Sequence, residues 1–329
     1  NEGGRIYILP CIAGHVGADT AGMILSEEPQ LQDRMTLLVD VGTNAEIVLG
    51  NSQRLLACSS PTGPAFEGAQ ISCGQRAATG AIERVRINPE TLEPRFKVIG
   101  SELWSDEAGF REAVAGHGVT GICGSGIIEV VAEMYLSGIV TVDGVVDGDL
   151  IDRTSRIIKN DRTWSYVLHT QDADEMQIVV TQNDIRQIQL AKAALYAGVK
   201  LLMDHIGTDH IERIRLAGAF GSHISVQHAM VLGLIPDCVL EEVSSAGNAA
   251  GTGARIALLN AESRDVIETL VQNIEKIETA MEPKFQDYFV DAMAFPNKKD
   301  PFPNLFSVVD KPLGKVDQNS AGSRKRRRR

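Results

Sequence analysis

The stretch TLLVDVGTNAEIVLG, Thr36 to Gly50, constrains the fold more than any other part of the chain. An apolar run reaches a carboxylate at Asp40, a turn of small polar residues follows, and a second apolar run begins. This pattern predicts two buried strands, Thr36–Val41 and Ala45–Leu49, joined by a polar turn. The Gly-Asn pair after the second run indicates another hairpin and a third strand at Arg54–Cys58.

The rest of the chain predicts an α/β fold with many glycine turns. In the second half, apolar strand patterns alternate with helical patterns, which implies parallel pairing, with ligands bound at the carboxyl ends of the strands. The polar, turn-rich residues from about 140 to 176 suggest an inserted subdomain. The other predicted strands are Ile6–Leu9, Ala81–Ile87, Arg95–Gly100, Gln177–Thr181, Arg213–Phe220 and Cys238–Val243. The predicted helices include Ala21–Leu25, Asn183–His205, Val226–Leu234 and Gly247–Asn260.

Composition excludes several classes of function. The net charge is −11, and it is −17 without the six basic residues of Arg324–Arg329 (−11 minus 6), so nucleic acid is not an expected partner. The five cysteines are scattered, with no CxxC pair, which argues against a metal cluster in this chain and favours a reducing cytoplasm. No apolar run reaches membrane-spanning length.

The turn after Asp40 has the chemistry of a phosphate site. Gly42 lets a ligand approach the backbone, while Thr43 and Asn44 add a hydroxyl and an amide beside main-chain donors. Asp40 could then hold a Mg²⁺-bound water or orient the attacking water, because Mg²⁺ keeps several waters and takes few carboxylates. The alternative is a plain hairpin in which the aspartate caps its own turn.

Three further features are candidate parts of the same site. In LAGAFGSH, Gly218 and Gly221 could let a nucleoside lie on the backbone, although this motif taken alone favours a simple strand-to-helix turn. Gly124 and Ser125 open a helix in GICGSGI, which makes either an anion site or a glycine N-cap. Lys192, on a mostly apolar helix, could reach a ribose or phosphate, although a polar face of this kind is more often simply solvated. In SSAGNAAGTGA, close packing explains the helix glycines as well as a ligand does.

Taken together, these motifs resemble the actin/sugar-kinase/Hsp70 ATPase superfamily, and within it the reductive activators of corrinoid proteins. The segments that carry the resemblance, from about Ile6 to Leu259, are LPCIAGHVGAD, LLVDVGTNAEIVLG, LLACSSPTGPAFEGAQISCGQRA, GICGSGIIEVVAEM, QNDIRQIQLAKAA and RLAGAFG. The family members are ATP-dependent enzymes that return an oxidised Co(II) corrinoid to Co(I).

The resemblance implies a ribonuclease H-like (actin-like ATPase) lobe with an inserted α+β subdomain. On this basis residues 1–35 end the first lobe or link to it, and residues 36–260 form the second lobe. Residues 261–310 form a helix with an irregular extension, and residues 311–329 a disordered basic tail. A ferredoxin-like [2Fe–2S] domain and a first phosphate hairpin are expected outside this chain, and a homodimer is worth testing.

The resemblance also assigns roles to residues. Asp40 is the catalytic residue and holds Mg²⁺ through water, and the phosphates of ATP lie on the turn that follows it. The nucleoside lies on the LAGAFG loop, while the remaining positions are secondary contacts. The expected ATP-binding residues are Gly42, Thr43, Asn44, Gly124, Ser125, Lys192, Gly218, Ala219, Phe220 and Gly221. The expected partner is a corrinoid protein, and the alternatives are a small-molecule kinase or a non-catalytic module that docks on that protein.

Overall fold

A computed structural model describes residues 3–170, 177–221 and 223–312 of the chain. The strands are β1 Thr36–Val41, β2 Ala45–Gly50, β3 Leu55–Ser60, β4 Ala81–Ile87, β5 Pro94–Val98, β6 Gly121–Ile122, β7 Ile157–Asn160, β8 Thr163–Thr170, β9 Gln177–Thr181, β10 Arg213–Ala217, β11 Val243–Gly247 and β12 Glu275–Lys276. The helices are α1 Ala18–Glu27, α2 Phe110–Val114, α3 Gly124–Leu136, α4 Gln182–Ile206, α5 Gly218–Gly221, α6 Val226–Val231, α7 Ala249–Leu259, α8 Ala261–Val271, α9 Phe285–Asp291 and α10 Leu305–Val308.

The largest sheet has the strand order β11-β10-β1-β2-β3-β12. The first three strands form an antiparallel meander, as the two predicted hairpins require. On the other side of β1, strands β10 and β11 run parallel to it, as the strand–helix alternation predicts. This is the ribonuclease H-like arrangement, so the predicted fold class is confirmed.

Period two along the strands of this sheet assigns their side chains to two different cores. Leu37, Val39 and Ile47 belong to the main core, into which much of the buried face of α4 also packs. Leu38 and Val48 point the other way, into a second core with residues of α1 and α7. Because both faces are covered, the strands are apolar at nearly every position.

Helices α1 and α7 cross at two glycines. A Cβ atom built on Gly253 would overlap the carbonyl oxygen of Gly22, and one built on Gly22 would lie 2.8 Å from the carbonyl oxygen of Ala250. The two backbones are therefore in direct contact. Close packing, which was one of the two interpretations of the sequence, accounts for Gly253. Gly251 instead faces the side chain of Asn248, the N-cap residue of its own helix.

Two smaller sheets complete the fold. Strands β5, β4 and β6 form one sheet, with α3 packed against β4, and β7, β8 and β9 form an antiparallel sheet. The second of these sheets takes β7 and β8 from the predicted insert and β9 from the residues that follow it, and residues 171–176 lie outside the described part. Strand β9 leads directly into α4, whose capping box joins Thr181 and Asp184, and Gly207 ends that helix in the left-handed conformation.

Several predicted boundaries are wrong. Residues 6–9 form no strand, because they find no pairing partner in the described part of the chain, and Ile6 and Ile8 are 92% and 80% exposed. The strand predicted at Cys238–Val243 begins only at Val243, because a 3₁₀ turn occupies Leu240–Glu242. The strand predicted to reach Phe220 ends at Ala217, where α5 begins.

The segment after α7 is more ordered than predicted. It forms α8, adds β12 to the edge of the large sheet, and packs α9 against α4. The basic residues at the end of the chain lie outside the described part. Among the described helices, none combines the length and the apolar character needed to cross a membrane.

Candidate functional site

A row of polar side chains crosses the large sheet at the carboxyl end of β1. Asp40 pairs with Ala217 of β10 on one side and with Glu46 of β2 on the other, and Glu46 pairs with Ser59 of β3. Directly paired residues point to the same face of a sheet, so Asp40, Glu46 and Ser59 line the face that α1 and α7 cover further along. The carboxylate that ended the predicted strand therefore has polar neighbours.

Gly218 brings the second predicted loop to this row. It directly follows β10 and has φ +83°, a conformation that favours glycine. A Cβ atom built there would lie inside van der Waals contact with Oδ1 of Asp40. The structure thus joins the Asp40 turn and the LAGAFG loop, the two motifs that sequence analysis assigned to phosphate and nucleoside.

The row is electrostatically incomplete. Asp40 is half-buried, and within the described part of the chain its carboxylate has no hydrogen-bond or ion-pair partner. Burial, with a smaller contribution from Asp19 of α1, raises the pKa of Asp40. Burial also raises the pKa of Glu46 to about 7, with further contributions from Asp19 and Asp40. Ser59 donates from Oγ to Oε1 of Glu46 at 3.4 Å. Half-buried carboxylates placed close together are neutralised either by protonation or by a bound cation, so the residues present fit a bound Mg²⁺.

The donor set favours a metal held mostly by other ligands. Among the described residues, no group of three or more acidic, histidine or cysteine side chains is placed to enclose a metal ion. That arrangement suits Mg²⁺, which usually keeps several waters and is bound through one or two carboxylates together with substrate phosphates.

The turn after Asp40 is held by the segment that follows β3. Thr62 donates from Oγ1 to the carbonyl oxygens of Gly42 and Thr43, at 3.0 and 3.1 Å, and the Gly63 N–H donates to Thr43 O at 2.8 Å. Thr43 in turn donates from Oγ1 to Oε1 of Glu67 at 3.0 Å. Asn44 is exposed. The turn therefore has a fixed backbone and an open outer side.

Gly124 and Ser125 lie beside a different sheet from the one that carries Asp40. They open α3, which follows β6, and the side chain of the N-cap residue Cys123 makes no capping hydrogen bond. Ser125 is buried, with its Oγ 3.4 Å from Sγ of Cys123. Helix α3 packs against the turn Pro64–Glu67, whose Glu67 bonds to Thr43, so these two predicted positions connect to the Asp40 turn only indirectly.

Lys192 is buried against a loop of the chain. Its side chain is fully buried, and Nζ donates to the carbonyl oxygens of Ala294 and Pro296 at 2.5 and 2.8 Å. Nζ also lies 5.3 Å from the centre of the Phe295 ring, and burial lowers the pKa of the amine. Two of its three N–H donors are engaged by this loop and the side chain is fully buried, so a contact between Lys192 and a nucleotide is unsupported by this geometry and stays a prediction.

The rest of the predicted nucleoside loop forms α5. Gly221 is buried, and a Cβ atom there would lie 2.8 Å from the carbonyl oxygen of Leu216, so the loop turns back closely onto β10. The side chains of Ala219 and Phe220 and the whole of Ser222 are outside the described part. The assignment of Ala219 and Phe220 to the nucleoside remains a prediction.

Sequence reasoning missed four side chains around the row: Asp19, Glu46, Thr62 and Glu67. Glu46 could have been found, because the hairpin register centred on the turn pairs it with Asp40. Asp19 lies in the first turn of α1, which begins at Ala18. No local signal identifies Thr62 and Glu67, since the chain bends back to the turn through tertiary contacts.

Comparison with known proteins places this site in a family. Residues 34–306 match the family described as the C-terminal domain of RACo, the ASKHA domain. The corrinoid activation enzyme RamQ of Eubacterium limosum is 34% identical over 303 residues, which cover 89% of this chain and 48% of that protein. The [Co(II) methylated amine-specific corrinoid protein] reductase of Methanosarcina barkeri is 26% identical over 273 residues, 80% of this chain and 46% of that protein.

A solved structure agrees with these relatives. The protein titled "Reductive activator for corrinoid,iron-sulfur protein" superposes with a TM-score of 0.76 at 33% identity, over 89% of this chain and 45% of that one. The chain spans about half the length of the curated relatives that it matches. The family resemblance drawn from the motifs is confirmed: the chain belongs to the family of RACo C-terminal ASKHA domains.

Proposed function

We propose that this chain is the ATP-binding part of a reductive activator that returns a Co(II) corrinoid protein to the Co(I) state. The observation that carries the proposal is the meeting of Asp40 with Gly218, which joins the phosphate-type turn to the nucleoside-type loop. The relatives named for corrinoid activation and corrinoid reduction support the choice of substrate. ATP binding and hydrolysis belong to the proposal.

The residues of the site suggest how the work is divided. The turn Gly42–Asn44 binds phosphate oxygens on its open side, while Thr62 and Glu67 fix its backbone. Asp40 and Gly218 orient the reacting end of the nucleotide, with the glycine leaving room for the carboxylate. A bound Mg²⁺ would supply charge neutralisation for the phosphates, and Asp40 would hold one of its waters.

ATP is needed because Co(I) is too strong a reductant to be formed by ordinary cellular electron donors. Binding and hydrolysis of ATP can change the closure of the ATPase fold around the nucleotide. If the closed form binds the corrinoid protein in a state that accepts an electron more readily, the two equilibria are coupled. Electron delivery itself is expected from the [2Fe–2S] domain of the family.

The test compares two aspartates of one strand region. Asp40→Asn should reduce ATP hydrolysis by about 100-fold or more, because it removes the carboxylate from the row. Asp33→Asn is the matched control, since Asp33 is exposed just before the amino end of β1, where it accepts a hydrogen bond from Ser52. Equal hydrolysis by both variants would refute the assignment of Asp40.

Calorimetry with Mg·ATP separates the alternatives. Binding that is lost in Asp40→Asn but kept in Asp33→Asn supports an ATP site. Absence of ATP binding, together with retained binding to a corrinoid protein, would favour the docking module. Phosphoryl transfer to a small sugar or acid, without stimulation by a corrinoid protein, would favour the kinase.

A further inference from the structure

The hairpin of β4 and β5 gathers four cations on one face. Arg84 lies directly opposite Lys97, and Arg86 lies directly opposite Arg95 in the antiparallel register. Like charges placed directly across two strands destabilise a sheet. The arrangement is unusual in a chain whose net charge is −11. A two-by-two block of positive charge therefore calls for an explanation beyond folding.

Among the described residues, the β4 half of this block is the half that has a buried carboxylate as its partner. Glu129 of α3 is buried and accepts hydrogen bonds from Arg84 at 3.0 Å and Arg86 at 2.6 Å. The second oxygen of Glu129 also accepts the Val85 N–H at 2.9 Å. This carboxylate thus binds β4 to α3 and, at the same time, draws both arginines toward the helix.

The β5 half is left without comparable partners. In the described part of the chain, Arg95 forms neither an ion pair nor a side-chain hydrogen bond. Lys97 approaches Glu102 at 4.0 Å, but the glutamate side chain is fully exposed, so solvent screens that pair. Two positive charges therefore remain available on the outer face of the hairpin.

Trp104 is the common neighbour of these cations. Arg95, Lys97 and Arg86 lie 4.8, 5.6 and 5.9 Å from the centre of its ring, within the range of cation–π attraction. The tryptophan is only half-buried. Tryptophan and arginine are the residue types most enriched among the side chains that dominate protein–protein binding energy.

We propose that the outer face of this hairpin, formed by Arg86, Arg95, Lys97 and Trp104 and called here the hairpin surface, docks a protein partner through a carboxylate-rich surface. The inference rests on the proposed function in one respect, namely that this partner is the corrinoid protein. The hairpin surface belongs to a different sheet from Asp40, so docking and ATP chemistry can be perturbed separately.

The test uses charge reversal with a matched control. Arg95→Glu/Lys97→Glu changes the hairpin surface, whereas Lys159→Glu/Arg162→Glu makes the same change in charge at two exposed cations of the β7–β8 hairpin. The binding partner is a Co(II) corrinoid protein of the methylated-amine type, and affinity is measured at low and at physiological salt. Thermal melting and ATP hydrolysis without the partner confirm that each variant is folded.

The hairpin variant should bind about tenfold or more weakly, with a smaller salt dependence, while the control stays within about twofold of the unmodified chain. Arg95→Gln/Lys97→Gln should fall between them. The proposal would be overturned if both charge reversals had equal effects or if neither had an effect. It would also be overturned if the same surface bound a single-stranded oligonucleotide more tightly than it binds the corrinoid protein. If the unmodified chain hydrolyses ATP but binds no corrinoid protein, the proposed function itself fails.

Discussion

Replacing Gly218 by alanine should damage the site in a way that can be separated from its effect on backbone strain. Gly218 has φ +83°, and alanine in the left-handed region costs about 1–2 kcal/mol. The new Cβ atom would also overlap Oδ1 of Asp40, so that carboxylate must leave its rotamer, at a cost of about 1 kcal/mol. We expect Gly218→Ala to lower the free energy of unfolding by about 2–3 kcal/mol.

Gly207→Ala is the matched control. Gly207 ends α4 with φ +80°, but no atom lies within 4 Å of its built Cβ, so only the backbone cost applies. Alanine also restricts the unfolded chain equally at both positions. We therefore expect Gly207→Ala to destabilise by about 1–2 kcal/mol while leaving ATP hydrolysis intact.

The decisive measurement is the rate of ATP hydrolysis at a temperature where both variants are folded, as shown by urea denaturation. Displacing a reacting group by about 1 Å can cost about 100-fold in rate, so Gly218→Ala should lose activity to about that extent. If both variants hydrolyse ATP at the same rate, then Gly218 does not position Asp40, and the reasoning that joins the two loops is wrong.

Three further predictions concern stability. Gly253→Ala should lower the melting temperature despite the higher helix propensity of alanine, because overpacking against α1 costs about 2 kcal/mol. The control Gly116→Ala changes an exposed and uncrowded glycine and should have little effect. Lys192→Met leaves two carbonyls of the 294–296 loop without donors, so urea denaturation should show a free energy of unfolding that is lower by about 2–3 kcal/mol. ATP hydrolysis by the folded variant should stay within about twofold. A selective loss of hydrolysis would instead support a ligand contact for Lys192. The pKa of Glu46 is raised to about 7 in the folded protein, so the folded state binds the extra proton, and stability falls as pH rises from about 4.5 to about 7. Glu46→Gln should therefore be more stable by about 1–2 kcal/mol near pH 8 in metal-free buffer, with the difference shrinking toward pH 5; an unchanged pH profile would contradict the burial of that charge.

The fold was largely predictable because its main strands have strong local signals. Two apolar runs flanking a polar turn allow few arrangements besides a hairpin, and the observed β1–β2 pairing centres on that turn. The failures occurred where no tertiary partner supports a local pattern. Residues 6–9 are apolar enough for a strand, but no neighbouring strand pairs with them.

The sequence by itself determined where the proposed phosphate turn of the site lies. A carboxylate followed by Gly42, Thr43 and Asn44 at the carboxyl end of a buried strand can be recognised locally, because turn chemistry and strand period are local properties. The order of such motifs along the chain was enough to identify the family, because the motifs follow one another here in the same order as in the members of that family.

Only the tertiary structure decided which of the candidate residues act together. Asp40 and Gly218 are far apart in the chain and meet because β1 and β10 pair in parallel. A loop about a hundred residues further along the chain buries the amine of Lys192. The register of β4 and β5 brings the cations of the hairpin surface to Trp104. Strand pairing and burial depend on the whole fold, so no local pattern contains this information.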